Sequence, residues 1–309
     1  MSKRTDLKII VLALMIWAGM VVIPPGAYAS EVLRVGVISS LSGSQAPVGQ
    51  EVRDGALLAI QQINEGWKER DVRIEAILMD DGASPERAKE AALKLIQQDQ
   101  VNLVFGVPDS DCALAIMPII SQFQVPMLSL ATHEGLTRPP QKWIFRGNIS
   151  DEDESKILVD LMWERLSGKR VALLFEDTAY GRSAASAQQK RLRQYGVTPV
   201  AAIPYPRGAM DFSSALEQIQ AAGPEGILIY GMASDAPSIL SKIRELGMEV
   251  RIMASSGWDT RRVSDLPPNL TEGIVVAGYL AFADPNREDE GLNSILPESA
   301  RQPSVPTVM

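Results

Sequence analysis

The sequence predicts an α/β protein of two Rossmann-like lobes, each a parallel sheet flanked by helices, with a cleft between them. Three observations predict it. Short β-branched runs alternate with longer segments of helical periodicity, the pattern of parallel sheets covered by helices on both faces. That alternation pauses near Gly147–Asp151 and then starts again. The loops after the strands are rich in Ser and Thr, and open parallel sheets bind ligands at the carboxyl ends of their strands.

The first run begins with Leu33–Ile38 (LRVGVI), a β-branched strand leading into the Ser39–Gly49 loop. Val52, Ala56, Ala59, Ile60 and Ile63 then recur at helical spacing. Val72–Met79 is a second strand, closed by the turn Asp80-Asp81-Gly82. Ser84-Pro85-Glu86 opens a helix with a cap, a Pro at the first position and an acid in the first turn. Asn102–Gly106, Val125–Ser129 and Trp143–Arg146 read as strands, and 111–122 as a helix interrupted or kinked near Pro118.

The second run opens with Asp151, Glu152, Asp153 and Glu154, an acidic helix start expected to be solvated. Strands are predicted at Val171–Phe175, Val200–Tyr205, Gly226–Tyr230, Val250–Ala254 and Gly273–Tyr279. Helices are predicted at Gly181–Tyr195, Phe212–Ala222 and Ala236–Leu246. The two runs echo each other: RVGVISSLSG at 34–43 and RVALLFEDTAYG at 170–181 each carry a strand into a loop that opens onto a helix. Crossovers between lobes are expected at Gly147–Asp151 and Leu280–Pro285.

Composition narrows the function. At 309 residues the chain is long enough for two domains of about 150 residues. A net charge of −8 argues against a nucleic-acid partner. One cysteine, Cys112, and one histidine, His133, permit neither an internal disulfide nor a Cys/His metal cluster. Lys3, Arg4 and Lys8, then the apolar run Ile9–Ile23, then Ala27-Tyr28-Ala29 have the layout of a secretory signal peptide cut after Ala29. The expected compartment is the periplasm.

Dinucleotide, phosphate-loop and nucleophile-elbow motifs are all missing. His133 lies beside Ser129 and Thr132, but nearness in sequence is not triad geometry. The chain is therefore expected not to be an enzyme and to need no cofactor. The Asp80-Asp81 pair reads as a strand-end turn, because adjacent residues on an extended segment point apart. What remains are hydroxyl-rich strand ends: Ser39, Ser40, Ser42 and Ser44, then Ser110, Ser129, Thr132, Ser255 and Ser256. Such loops present several donors without bulk, which suits a ligand carboxylate.

The stretch Val35–Asn64 (VGVISSLSGSQAPVGQEVRDGALLAIQQIN) resembles the opening of the branched-chain amino acid (leucine/isoleucine/valine) binding proteins of ABC importers. DDGASPERAKEAALKLI at 80–96, VFGVPDS at 104–110, VPMLSLAT at 125–132, FEDTAYG at 175–181, DFSSALEQIQAAGPEGILIYG at 211–231 and GWD at 257–259 are similar to the same family, in the same order. The resemblance covers about residues 33–285. It implies a type I periplasmic binding fold with three hinge crossings. Lobe 1 would hold 31–148 and 281–309, lobe 2 would hold 149–280, and 1–29 would be the leader. Carried over by position, the ligand contacts would be Ser110, Leu130, Ala131, Thr132, Tyr180 and Asp259. Ser42, in the first loop, would cover the side-chain end and Met232 would shape the pocket.

Two departures stand out. Leu130 replaces the small residue that usually precedes Ala-Thr, which narrows the pocket. Relatives also continue past Pro303-Ser304-Val305-Pro306, so a first lobe with exposed apolar surface is expected. The resemblance implies a monomeric receptor that closes on a small polar ligand, an amino acid or amide-like molecule, and docks on a membrane permease of an ABC importer. A sensory module feeding a signalling receptor is the alternative; the ligand itself is not specified.

Overall fold

The computed structural model describes residues 31–278, apart from 68, 69, 71 and 167–169, together with 307–308. The leader, the crossover expected at Leu280–Pro285 and the last residue of the strand expected at Gly273–Tyr279 lie outside the described residues.

The first sheet holds β1 (Glu31–Ser39), β2 (Val72–Asp80), β3 (Leu103–Gly106), β4 (Met127–Ser129) and β5 (Ile144–Arg146). Its order is β2-β1-β3-β4-β5 and every pairing is parallel. The second sheet holds β6 (Val171–Glu176), β7 (Ala201–Tyr205), β8 (Gly226–Tyr230), β9 (Arg251–Ala254) and β10 (Val275–Ala277). Its order is β7-β6-β8-β9-β10, again parallel. The two sheets share one winding, so each reverses direction between its first and third strands, the place where open sheets leave a crevice. The sequence echo between 34–43 and 170–181 marks this equivalence.

A short strand β11 (Thr307–Val308) pairs with β10 at the edge of the second sheet. It is the one described element of 281–309, the segment expected in lobe 1. An open strand edge accepts any extended segment that reaches it.

The helices longer than two turns among the described residues are α1 (Ala46–Gly66), α2 (Pro85–Gln97), α3 (Ser110–Phe123), α4 (Asp151–Arg165), α5 (Ala179–Gln194), α6 (Ser213–Ala221) and α7 (Ala236–Glu245). The Ser84 hydroxyl accepts from Arg87 N–H at the start of α2, as its cap pattern predicts. α3 runs through Pro118 as one helix, so of the two expected outcomes, an interruption or a kink, the interruption does not occur. Cys112, Ala113, Ile116 and Ile120, on both sides of Pro118, are all buried in the first-lobe core and hold the helix across it.

The second lobe has a core on each face of its sheet. Ile227 and Ile229 join one and Leu228 and Tyr230 the other, as alternation along a doubly covered strand requires. In the first lobe Val37, Phe105, Leu128 and Phe145 fall in one row by strand register. Val37 is 1% exposed, whereas Phe145 at the other end is 56% exposed.

Candidate ligand-binding cleft

A cavity of about 270 Å³ lies between the lobes, just below the usual size range of small-molecule sites. Every residue that lines it lies at or after the carboxyl end of a strand. Ser40, Gln45, Val48 and Glu51 follow β1, and Pro108, Asp109 and Ser110 follow β3. Leu130 and Thr132 follow β4, and Asn148 follows β5. From the second lobe come Glu176 at the end of β6, Tyr180 after it, Arg207 after β7, Met232 after β8 and the Ser256–Thr260 segment after β9.

Local backbone chemistry aims these loops. Val107 adopts φ 47°, an outlier for a β-branched residue. Its N–H donates to Ile38 O at 2.7 Å and its carbonyl accepts from Ser129 Oγ at 3.1 Å. That kink turns Pro108–Ser110 into the cavity. Asp109 caps α3 by accepting from Cys112 N–H at 2.9 Å.

Asp80 and Asp81 hold the first loop, in line with the turn reading. Asp80 Oδ1 accepts from Leu41 N–H and Gly82 N–H, and Oδ2 from Ser42 Oγ at 2.6 Å. Burial opposes its ionisation, but Ser42, Gly82 and Arg87 outweigh it and hold the carboxyl at about 2. Asp81 accepts from Ser40 Oγ at 2.6 Å.

Of the residues carried over by position, Ser110, Leu130, Thr132, Tyr180, Met232 and Asp259 meet at this cavity. Two do not. Ser42 is exposed and its hydroxyl is spent on Asp80; Gln45 lines the cavity from the same loop. Ala131 is fully buried in the first-lobe core, because alternation along the chain turns it away from its neighbours Leu130 and Thr132. Most of the other hydroxyls serve the backbone: Ser39 Oγ donates to Gly49 O, and Ser255 Oγ donates to Gly231 O while accepting from Tyr180 OH at 3.0 Å. His133 caps a turn, its Nδ1 accepting from Gly135 N–H, and does not line the cavity.

Two hydroxyls at the cavity are orphaned. Ser110 Oγ and Thr260 Oγ1, one from each lobe, line the cavity and have no hydrogen-bond partner among the described residues. Buried polar groups are normally satisfied. Asp259 lines the same wall with no side-chain partner among the described residues, and burial raises its carboxyl above the usual value. Neutral donors thus stand on the Ser110–Thr132 side, where the Glu51 carboxyl also lines the cavity, and the Asp259 carboxyl stands on the opposite side. The arrangement fits a ligand with an acceptor group at one end and a cationic donor at the other.

Sequence reasoning missed Arg207. Its Nη2 lies 2.8 Å from Asp109 Oδ2 and 3.2 Å from Asp111 Oδ2, across the cleft, and its Nε lies 3.6 Å from Glu176 Oε2. Burial opposes the guanidinium's charge, but Asp109, Glu176 and Asp111 outweigh it and raise its affinity for the proton. Ala179 N–H adds a second bridge to Asp111 Oδ1 at 3.1 Å. The only sequence signal was that Arg207 follows a strand end.

Comparison with known proteins agrees with this fold. Residues 32–294 match the profile of a family described as periplasmic binding protein. The Leu/Ile/Val-binding protein homolog 3 of Brucella melitensis biotype 1 is 25% identical over 75% of this chain. The chain spans 62% of that relative's length. The crystal structure of a leucine binding protein LivK from Thermotoga maritima MSB8 superposes with a TM-score of 0.77 at 22% identity, covering 88% of this chain and 77% of that one. A solute binding protein of an ABC transporter from Rhodopseudomonas palustris BisB5, in complex with 3,4-dihydroxy benzoic acid, superposes with a TM-score of 0.66 at 25% identity, covering 74% of this chain and 63% of that one.

Proposed function

The chain belongs to the periplasmic binding protein family, and we propose that it is the periplasmic receptor of an ABC importer for an amino acid or amide-like ligand. The observation that carries this reading is the pair of orphaned hydroxyls, Ser110 Oγ and Thr260 Oγ1, on opposite walls of one cavity. A ligand that bonded both would relieve each lobe and hold the two together.

In this reading Ser110 and Thr132 receive the ligand carboxylate, Asp259 receives its ammonium, and Tyr180 and Met232 wall the second lobe. Leu130 narrows the first-lobe side. The lobes hinge at Gly147–Asp151, and the closed form docks on the permease. Residues 1–29 direct export to the periplasm.

A thermal-shift screen tests this. Binding to the folded state alone raises the melting temperature by mass action. L-leucine, L-isoleucine, L-valine, L-glutamine, acetamide and 3,4-dihydroxybenzoate would be compared. A rise with one of the amino acids or the amide is expected; a rise with the benzoate alone would reassign the ligand class, and no rise with any would overturn the reading.

A further inference from the structure

The four acids that open α4 look alike in sequence but differ in the fold. Glu152 and Asp153 pair at the surface with Lys190 and Lys156. Asp151 is 0% exposed and Glu154 2% exposed, against the expectation of a solvated run. α4 is capped by Ser150, whose Oγ accepts from Asp153 N–H. That cap leaves the first and fourth acids on the inner side, facing the sheet.

Glu154 does not line the cavity but grips a residue that does. Its Oε1 accepts from Ser256 N–H at 2.8 Å, and its Oε2 lies 2.8 Å from Ser256 Oγ, a contact across 102 residues of chain. The same helix turn is tied to the other wall: Asp151 N–H donates to the carbonyl of Thr132 at 3.0 Å. Neither acid forms an ion pair among the described residues. The groups around the pair are the Tyr230 hydroxyl from β8, 3.5 Å from Asp151 Oδ1, and the hydroxyls of Ser183 on α5 and Thr132 beside the crossover. Arg146 on β5 acts on Asp151 at longer range, and β9 contributes the apolar Met253 and Ala254.

We infer that Glu154 is a positioning residue that holds the Ser256–Thr260 wall of the cleft and couples ligand binding there to its own proton. The inference rests on the reading of the cleft as an amino-acid site. Ionised, Glu154 accepts from both Ser256 donors. Protonated, it donates its own O–H to Ser256 Oγ while the other oxygen still accepts from the N–H. Both forms keep the wall in place, but they reverse the direction of the hydroxyl bond. They also differ by one negative charge behind the wall that carries Asp259. Burial, with Asp151 adding like charge, pushes Glu154 up to about 7. An ammonium at this wall favours the ionised form, so binding releases a proton and tightens as pH rises.

Calorimetry with L-isoleucine at pH 6 and pH 8 reads this coupling. About tenfold tighter binding is expected at pH 8, with heats that vary with buffer ionisation enthalpy as a proton is released. Glu154→Gln keeps both bonds in the protonated arrangement and is expected to cut the pH effect to about twofold or less. A parallel pH dependence in wild type and Glu154→Gln would overturn the coupling. A second readout needs no ligand: the Ser256 amide shift is expected to titrate with a midpoint near 7 in wild type and not in Glu154→Gln. A pH-independent Ser256 amide would overturn the inference whether or not isoleucine binds. Absence of heat with isoleucine beside a normal Ser256 titration would count against the ligand reading alone.

Discussion

Arg207 Nη2 lies 2.8 Å from Asp109 Oδ2, and this ion pair joins the second lobe to the first across the mouth of the cavity. Asp111 shares the guanidinium, and Ala179 N–H bonds the same acid. In the proposed hinge closure these contacts need both lobes together, so they favour closing.

Arg207→Gln is therefore expected to weaken binding by roughly tenfold, because the competent closed state is less populated. Small-angle scattering of the ligand-free variant should give a larger radius of gyration than wild type. Arg207→Lys is expected to recover only part of the loss, since one ammonium cannot span three carboxylates in a fixed fork. Unchanged affinity in Arg207→Gln would show that the bridge does not bias closing.

The winding shared by the two lobes predicts matched steric limits. A Cβ at Gly49 would sit 1.9 Å from Ser40 O, and one at Gly181 would sit 2.0 Å from Glu176 O. Each glycine lets a helix start press against the strand end that lines the cavity. Gly49→Ala and Gly181→Ala should each cost about 2 kcal/mol or more, read as a lower urea midpoint. Gly55, with nothing within 4 Å of its would-be Cβ, is the control. Gly55→Ala should stabilise by about 0.5–1 kcal/mol, because it removes a flexible residue from a helix interior.

The fold was legible because strand and helix periods are local. Leu33–Ile38 and Val171–Phe175 announce themselves within a few residues. Ser110, Thr132, Tyr180 and Asp259 were reachable because strand ends converge wherever parallel sheets face each other. Arg207 was not, because its first-lobe partners, Asp109 before α3 and Asp111 in its first turn, lie 96 residues away or more and depend on how the lobes meet. The burial of Glu154 was hidden for a related reason: an acid at a helix N-terminus is ordinarily solvated, and only the long-range approach of Ser256 draws it inward. At Pro118 the interruption that a local breaker allows did not occur, since apolar residues on both sides of it pack into one core.

Glu154 also carries a signed prediction for stability. Its folded value of about 7 lies above the ordinary carboxylate value of the unfolded chain. Between the two, the folded state holds more protons than the unfolded one, so stability falls as pH rises through 7. The loss attributable to this group is on the order of 3 kcal/mol. Glu154→Gln cannot ionise and should gain stability relative to wild type on going from pH 5 to pH 8. Urea unfolding at both values checks it; an identical pH response in the two proteins would place the titrating group elsewhere.

The central claim is that the cleft holds an amino acid between Ser110–Thr132 and Asp259. Calorimetry against the twenty amino acids, with wild type, Thr132→Ala and Asp259→Asn compared on the tightest binder, tests it most directly. Saturable one-to-one binding is expected, weakened roughly tenfold or more by each substitution. No saturable heat from any of the twenty, or binding indifferent to both substitutions, would contradict the claim.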